Sequence, residues 1–229
     1  MAQSIVNDAA VTDDATDVNA CDIRPLQSFY HPDDLDGAFT FSRFYWDEGA
    51  GDRESVTRHV TKKRRPVPSE SDGDTAARVE TLLPSDAPEE YVGVDALLLR
   101  YEEWLAVEEV TAMAQVTFRF IDSPNIHHPY EKCRAFIRAY FVDRLGLPTI
   151  MILHAPYLHG SLSTPHVPAI ILPAQLTRYG WLKVDRKVAT DAGRRAVLKA
   201  WSAFAELGPA VDAPRPFKAR PSKKSRGSK

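Results

Sequence analysis

The stretch that most constrains the fold is Leu147 to Ala174, LPTIMILHAPYLHGSLSTPHVPAIILPA. Two uncharged apolar runs, Ile150 to Leu153 and Val167 to Leu172, are too short for helices and are rich in β-branched residues, so they read as buried strands. Between them Pro156, Gly160, Ser161, Ser163, Thr164 and Pro165 supply loop chemistry. The first run ends on His154 and the second begins just after His166. Folding the two runs into an antiparallel pair predicts that both histidines meet at one end of the sheet. Neutral imidazole is a common metal ligand, so this placement points to a divalent cation.

The remaining elements predict an α+β domain. FTFSRFYW (39–46) alternates early and reads as a strand, followed by a short helix over Arg53 to Lys63. Residues 66–90 are rich in Pro, Ser, Asp, Gly and Glu and read as a surface connection. A helix over Val94 to Glu108 places Leu97, Leu98, Tyr101, Trp104 and Leu105 on one face, with Trp104 in the core. Thr111 to Ile121 is a strand, and Asp122 to Asn125 stop it. A helix from Pro129 to Leu145 buries Cys133, Phe136, Ile137, Tyr140 and Phe141, and Gly146 ends it. His127 and His128 read as polar residues at its start. QLTRYGWLKVDRK (175–187) reads as a polar turn. A last helix, Asp191 to Leu207, buries Val197, Ala200, Trp201 and Phe204. The expected sheet is mostly antiparallel, of about four or five strands, with helices packed on one face.

Charge is uneven along the chain. Residues 1–22 hold five Asp and no Lys or Arg, and residues 212–229 hold seven Lys/Arg against one Asp. The reading is an acidic disordered tail over 1–22, one domain over 23–209 and a basic disordered tail over 210–229. No apolar run approaches the length of a membrane span, which predicts no membrane partner. Cys21 and Cys133 make no disulfide framework, which fits a reduced, cytoplasmic setting. Lys62, Lys63, Arg64 and Arg65 form a basic cluster at the end of the first helix. It reads either as a contact for DNA phosphates or as a solvated helix end that complements the helix dipole.

A histidine at a strand end, a loop, then a Pro-His run opening the next strand resembles the metal motif of relaxases, and more narrowly of the MobA/MobL group. LPAQLTRYGW (172–181) resembles the segment that follows it there, and YVGVDALLLRYEEW (91–104) the linking helix, so the likeness spans about 38–206. In that family three histidines hold a divalent metal that polarises a scissile DNA phosphate, and a tyrosine on the first helix attacks it. The resemblance maps His154 and His166 onto two ligands. The third position is Pro168, and SVTRHVTKKRR (55–65) carries no tyrosine. His159, inside the loop, is the candidate substitute ligand. An aspartate or water could complete a magnesium or manganese shell.

The resemblance implies a plasmid-mobilisation-related protein that binds single-stranded or hairpin DNA, with cleavage weakened or lost. One alternative is an active metal-dependent nickase with a rebuilt third ligand. The other is a non-catalytic protein-interaction module that uses the charged tails.

Overall fold

The computed structural model describes residues 23–207 apart from 32–34, 36, 50–51, 69–72, 122 and 124. Both expected tails, with Cys21, therefore lie outside the described residues.

The described residues form eight strands and four α-helices. They are β1 (Gln27–Tyr30), β2 (Phe39–Tyr45), α1 (Val56–Arg64), β3 (Arg78–Leu82), α2 (Val94–Trp104), β4 (Thr111–Arg119), α3 (His127–Ile137), β5 (Thr149–Leu153), β6 (His166–Ile171), β7 (Ala174–Thr177), β8 (Gly180–Val184) and α4 (Asp191–Leu207). Six strands form one sheet in the order β1-β2-β4-β6-β5-β3, with every neighbouring pair antiparallel. The α+β class and the antiparallel sheet are as expected. The strand count is larger because both edge strands are short and mostly exposed or half-buried, so neither shows an apolar period in sequence. Residues 175–187, expected as a polar turn, form most of a separate β7-β8 hairpin. Its Trp181 packs against Tyr91, Tyr101 and Trp104, which puts Trp104 in the apolar packing its helix face implied.

The helices divide between both faces of the sheet rather than covering one. Every residue of β5 is buried, and a strand buried on both sides needs cover on both sides. Along it, Met151 and Leu153 join Phe136 and Ile137 of α3 and Val197 of α4 in one core. Ile150 and Ile152 join Val56 and Val60 of α1 and Leu97, Leu98 and Tyr101 of α2 in the other. Each fully buried side chain of this size contributes on the order of 1.5–3 kcal/mol.

The α1–α2 face changes character along the strands. On β4, alternation sends Ala114, Val116 and Phe118 to the α3–α4 core. Met113 joins the other core, and Gln115, Thr117 and Arg119 continue on that same side by strand period. On β2, Thr40 and Ser42 share that side with Phe44. This face is therefore apolar under the helices and polar beyond them.

Candidate functional site

His154 and His166 meet at the polar end of the sheet, as the sequence predicts. Their backbones form a doubly hydrogen-bonded antiparallel pair, with N–H to O distances of 2.9 and 3.1 Å. The bridge keeps the register of Thr149↔Ile171 but stands apart from that ladder. The interruption falls at Ile152 and Pro168, because proline has no N–H to offer β5. Pro168 thus lines the site from the same side of β6 as His166 and brings no ligand.

Each ring has one nitrogen committed to a backbone carbonyl. His154 Nε2 lies 2.7 Å from the carbonyl of Lys63, at the end of α1, and His166 Nδ1 lies 2.9 Å from the carbonyl of Thr164. A carbonyl only accepts, so both of these nitrogens carry the proton. A neutral imidazole has one N–H. The remaining nitrogens, His154 Nδ1 and His166 Nε2, then face each other 3.0 Å apart as two lone pairs. Burial lowers the pKa of both rings, and the positive charge of Lys63 adds to it, which favours the neutral forms. Two lone pairs at this distance repel unless a cation lies between them.

A proton or a metal ion meets that requirement. Two ligand nitrogens at about 2.1 Å from one metal and at right angles to each other would lie about 3 Å apart, which the observed 3.0 Å fits. Carbonyls fixing the outer nitrogens are also the usual means by which ligand histidines are oriented. The chemistry of the donor pair therefore suits a divalent cation.

His159 closes a short helical turn, Pro156–His159. It lines a second cavity of about 240 Å³ that also touches His154 and His166. Among the described residues no three His, Cys, Asp or Glu side chains gather as a metal-ligand cluster. The structure brings His154 and His166 together and does not bring His159 into a cluster with them. His127 and His128 begin α3, away from this cavity.

The histidine pair forms one wall of a cavity of about 400 Å³ over the polar end of the sheet. Gln115, Thr117 and Arg119 of β4 and Thr40 and Ser42 of β2 floor it, and His59 and Lys63 of α1 line it. His59 and Lys63 are four positions apart, so both project from one face of the helix. Ser55 caps α1, its Oγ accepting from the N–H of Arg58 at 3.3 Å. Glu102 of α2 fixes that end, accepting from Ser55 Oγ at 2.9 Å, from Thr57 N–H at 3.0 Å and from Thr57 Oγ1 at 2.9 Å. At the other end the Lys63 carbonyl holds His154.

The basic cluster is split by this arrangement. Lys63 lines the cavity, and burial lowers the pKa of its amine. Arg64 is committed to Asp74 and Asp95, so it ties α1 to the following segment and to α2. Lys62 and Arg65 are exposed.

The sequence reading missed His59 and the polar floor. The ring of His59 packs edge-on against Phe44 at 4.5 Å between centroids. Burial is the largest cause holding its pKa down to about 4, with Lys63 adding to the effect and Gln115 opposing it. The opposing effect is a hydrogen bond with the Gln115 side chain, whose oxygen is buried next to the His59 ring. The floor had a visible signal: Thr and Ser alternate with apolar residues in FTFSRF (39–44), as Gln, Thr and Arg do in QVTFRF (115–120).

No protein-family model matches this chain, and no curated protein matches it. Among solved structures, one described as "Molecular Basis of Vancomycin Resistance Transfer in Staphylococcus aureus" aligns with a TM-score of 0.47 and 13% identity, covering 60% of this chain and 74% of that one. The described residues include no helix long and apolar enough to cross a membrane.

Proposed function

We propose that this chain is a relaxase-like DNA-binding protein related to plasmid mobilisation, in which DNA cleavage by covalent capture is weakened or lost. The observation that carries this reading is the histidine pair with its facing nitrogens, 3.0 Å apart above a polar cavity. His154 and His166 would hold magnesium or manganese, with water and phosphate oxygens taking the other positions. A metal there would polarise a DNA phosphate. Lys63 would neutralise backbone charge, and the hydroxyls and amide of the floor would hydrogen-bond to phosphate or sugar oxygens. The family's tyrosine has no counterpart on α1, which is why capture of the strand is taken as lost.

The second reading is an active nickase, in which His159 moves in as third ligand. The observation that favours it is that His159 lines a cavity that both histidines also touch.

Binding of labelled single-stranded and hairpin DNA, over a salt series with and without manganese, tests both. Steeply salt-dependent binding without cleavage supports the first reading. Manganese-dependent binding with a protein-linked cleaved strand supports the second. Salt-insensitive behaviour with no DNA bound contradicts both and favours an interaction module.

A further inference from the structure

We infer that the smaller cavity beside the histidine pair is a subsite for one unpaired nucleobase, belonging to a DNA strand whose phosphate lies at the pair. The inference rests on the DNA-binding reading above and adds a specificity site to it. Three observations carry it. The first is position. The sheet order is β1-β2-β4-β6-β5-β3. His166 opens β6 and His154 follows β5, so the pair stands between β4 and β3. The polar cavity of about 400 Å³ lies on the β4 side, over β2 and β4. The cavity of about 240 Å³ lies on the β3 side, against the residues that lead into β3. Both histidines line both cavities. A strand that crosses the polar floor and the pair therefore meets the second cavity next.

The second observation is a change of character. Among the described residues the polar cavity is lined by Lys63 and Arg119 and by no carboxylate, which suits a phosphate backbone. No Lys, Arg, Asp or Glu among them lines the second cavity. Pro66, Val67, Ala76, Ala77, Ala155 and Pro156 make half of its lining. Apolar walls with a few polar groups are what a small organic ring needs, and the volume falls below the roughly 300–1,000 Å³ that takes a drug-sized molecule. One base suits it. Ser163 Oγ accepts from Ser161 Oγ at 3.2 Å and keeps its own proton for the edge of a base. The ring of His159 offers a stacking surface. The third observation is that the walls are built in advance. The N–H groups of Thr75 and Ala76 donate to the Arg64 carbonyl at 3.0 and 2.9 Å, and that of Ala77 to the Leu153 carbonyl at 2.9 Å. Thr75 Oγ1 donates to the Val67 carbonyl at 3.0 Å and accepts from the Val67 N–H at 3.2 Å. The facing loop turns at Gly160, whose φ is 73°, and the Ser161 N–H donates to the Pro156 carbonyl at 3.1 Å. Walls fixed in this way spare the ordering cost of binding.

The test uses the full chain without metal and two labelled single strands of equal length. One is an ordinary strand of mixed sequence, and the other carries a stable abasic analogue at every position. Fluorescence anisotropy over a salt series reads both. The wild type is expected to bind the ordinary strand at least about fivefold more tightly, the effect of one stacked base. Ala77→Leu fills the cavity from an exposed position. It is expected to weaken the ordinary strand at least about fivefold and to leave the abasic strand within about twofold of wild type. The salt dependence is expected to stay the same, because no phosphate contact is lost. Ser163→Leu, on the exposed loop opposite, is expected to do the same and serves as the second variant. Equal binding of the two strands by the wild type would overturn the inference while leaving DNA binding intact. So would folded variants that bind the ordinary strand as wild type does, or that lose both strands alike. Absence of binding to either strand by the wild type would instead overturn the reading on which the inference rests.

Discussion

His154 Nδ1 and His166 Nε2 face each other at 3.0 Å while the other nitrogen of each ring is spent on a backbone carbonyl. The arrangement fixes both tautomers and leaves two lone pairs converging on one point. It is built by strand pairing on one side and by the end of α1 on the other, so the sheet and the helix must both be in place for it to form.

Manganese is expected to raise the thermal unfolding temperature. At a hundredfold excess over the dissociation constant, ligand binding stabilises a protein by about 2.7 kcal/mol, roughly 5–10 °C for a chain of this size. His166→Ala is expected to abolish the shift, and differential scanning fluorimetry reads it directly. An unchanged shift in His166→Ala would remove the pair from the metal site.

Pro168→His is expected to strengthen manganese binding by tenfold or more. The new imidazole would share a strand face with His166, two residues on. The substitution also returns an N–H to β6 where its pairing with β5 is interrupted. Isothermal titration with manganese measures the change, and an affinity no higher than wild type would count against a cation between the two histidines.

Stability is expected to fall with pH below about 7. Burial lowers the pKa of His154 and His166, and that of His59 to about 4. The unfolded chain takes up protons near pH 6.5, before the folded one does. Stability is therefore present above that pH and is lost as pH drops towards the folded values, by at most about 1.4 kcal/mol per pH unit for each histidine. Urea midpoints between pH 7.5 and 4.5 test this, and His59→Gln should flatten the dependence. A midpoint that rises on acidification would contradict the assigned neutral forms.

Glu102→Ala is expected to destabilise the protein by about 2 kcal/mol. It leaves Ser55, Thr57 and the backbone of α1 without the carboxylate that accepts from all three. Urea unfolding measures the effect. A cost below about 0.5 kcal/mol would show that α1 is held by apolar packing alone.

Much of this was legible in the sequence, for identifiable reasons. The hairpin was readable because β5 and β6 are uninterrupted apolar runs with a loop of Pro, Gly and Ser between them, and the meeting of His154 and His166 follows from antiparallel pairing. α4 was readable from its spacing of Val197, Trp201 and Phe204. The edge strands were not, because Gln27–Tyr30 and Arg78–Leu82 each lack a buried face long enough to impose a period of two. The second helical face was not, because a run such as TIMIL (149–153) shows burial without showing how many layers provide it. His59 looked like one polar residue in a basic helix. Only the placement of α1 over Phe44 and Gln115 turns it towards the cavity. The basic cluster read as one patch, and tertiary packing divides it between Lys63 at the cavity and Arg64 in ion pairs.

The most direct measurement is single-stranded DNA binding by fluorescence anisotropy, between about 50 and 200 mM salt, for the wild type, Lys62→Glu and Lys63→Glu. Melting curves taken alongside confirm that each variant is folded. If DNA lies over the histidine pair, Lys63→Glu weakens binding at least tenfold and flattens the salt dependence, by about 0.7 in slope for each phosphate it no longer neutralises, while Lys62→Glu has the smaller effect. A wild type that does not bind, or binding that a folded Lys63→Glu leaves unchanged, would contradict the account.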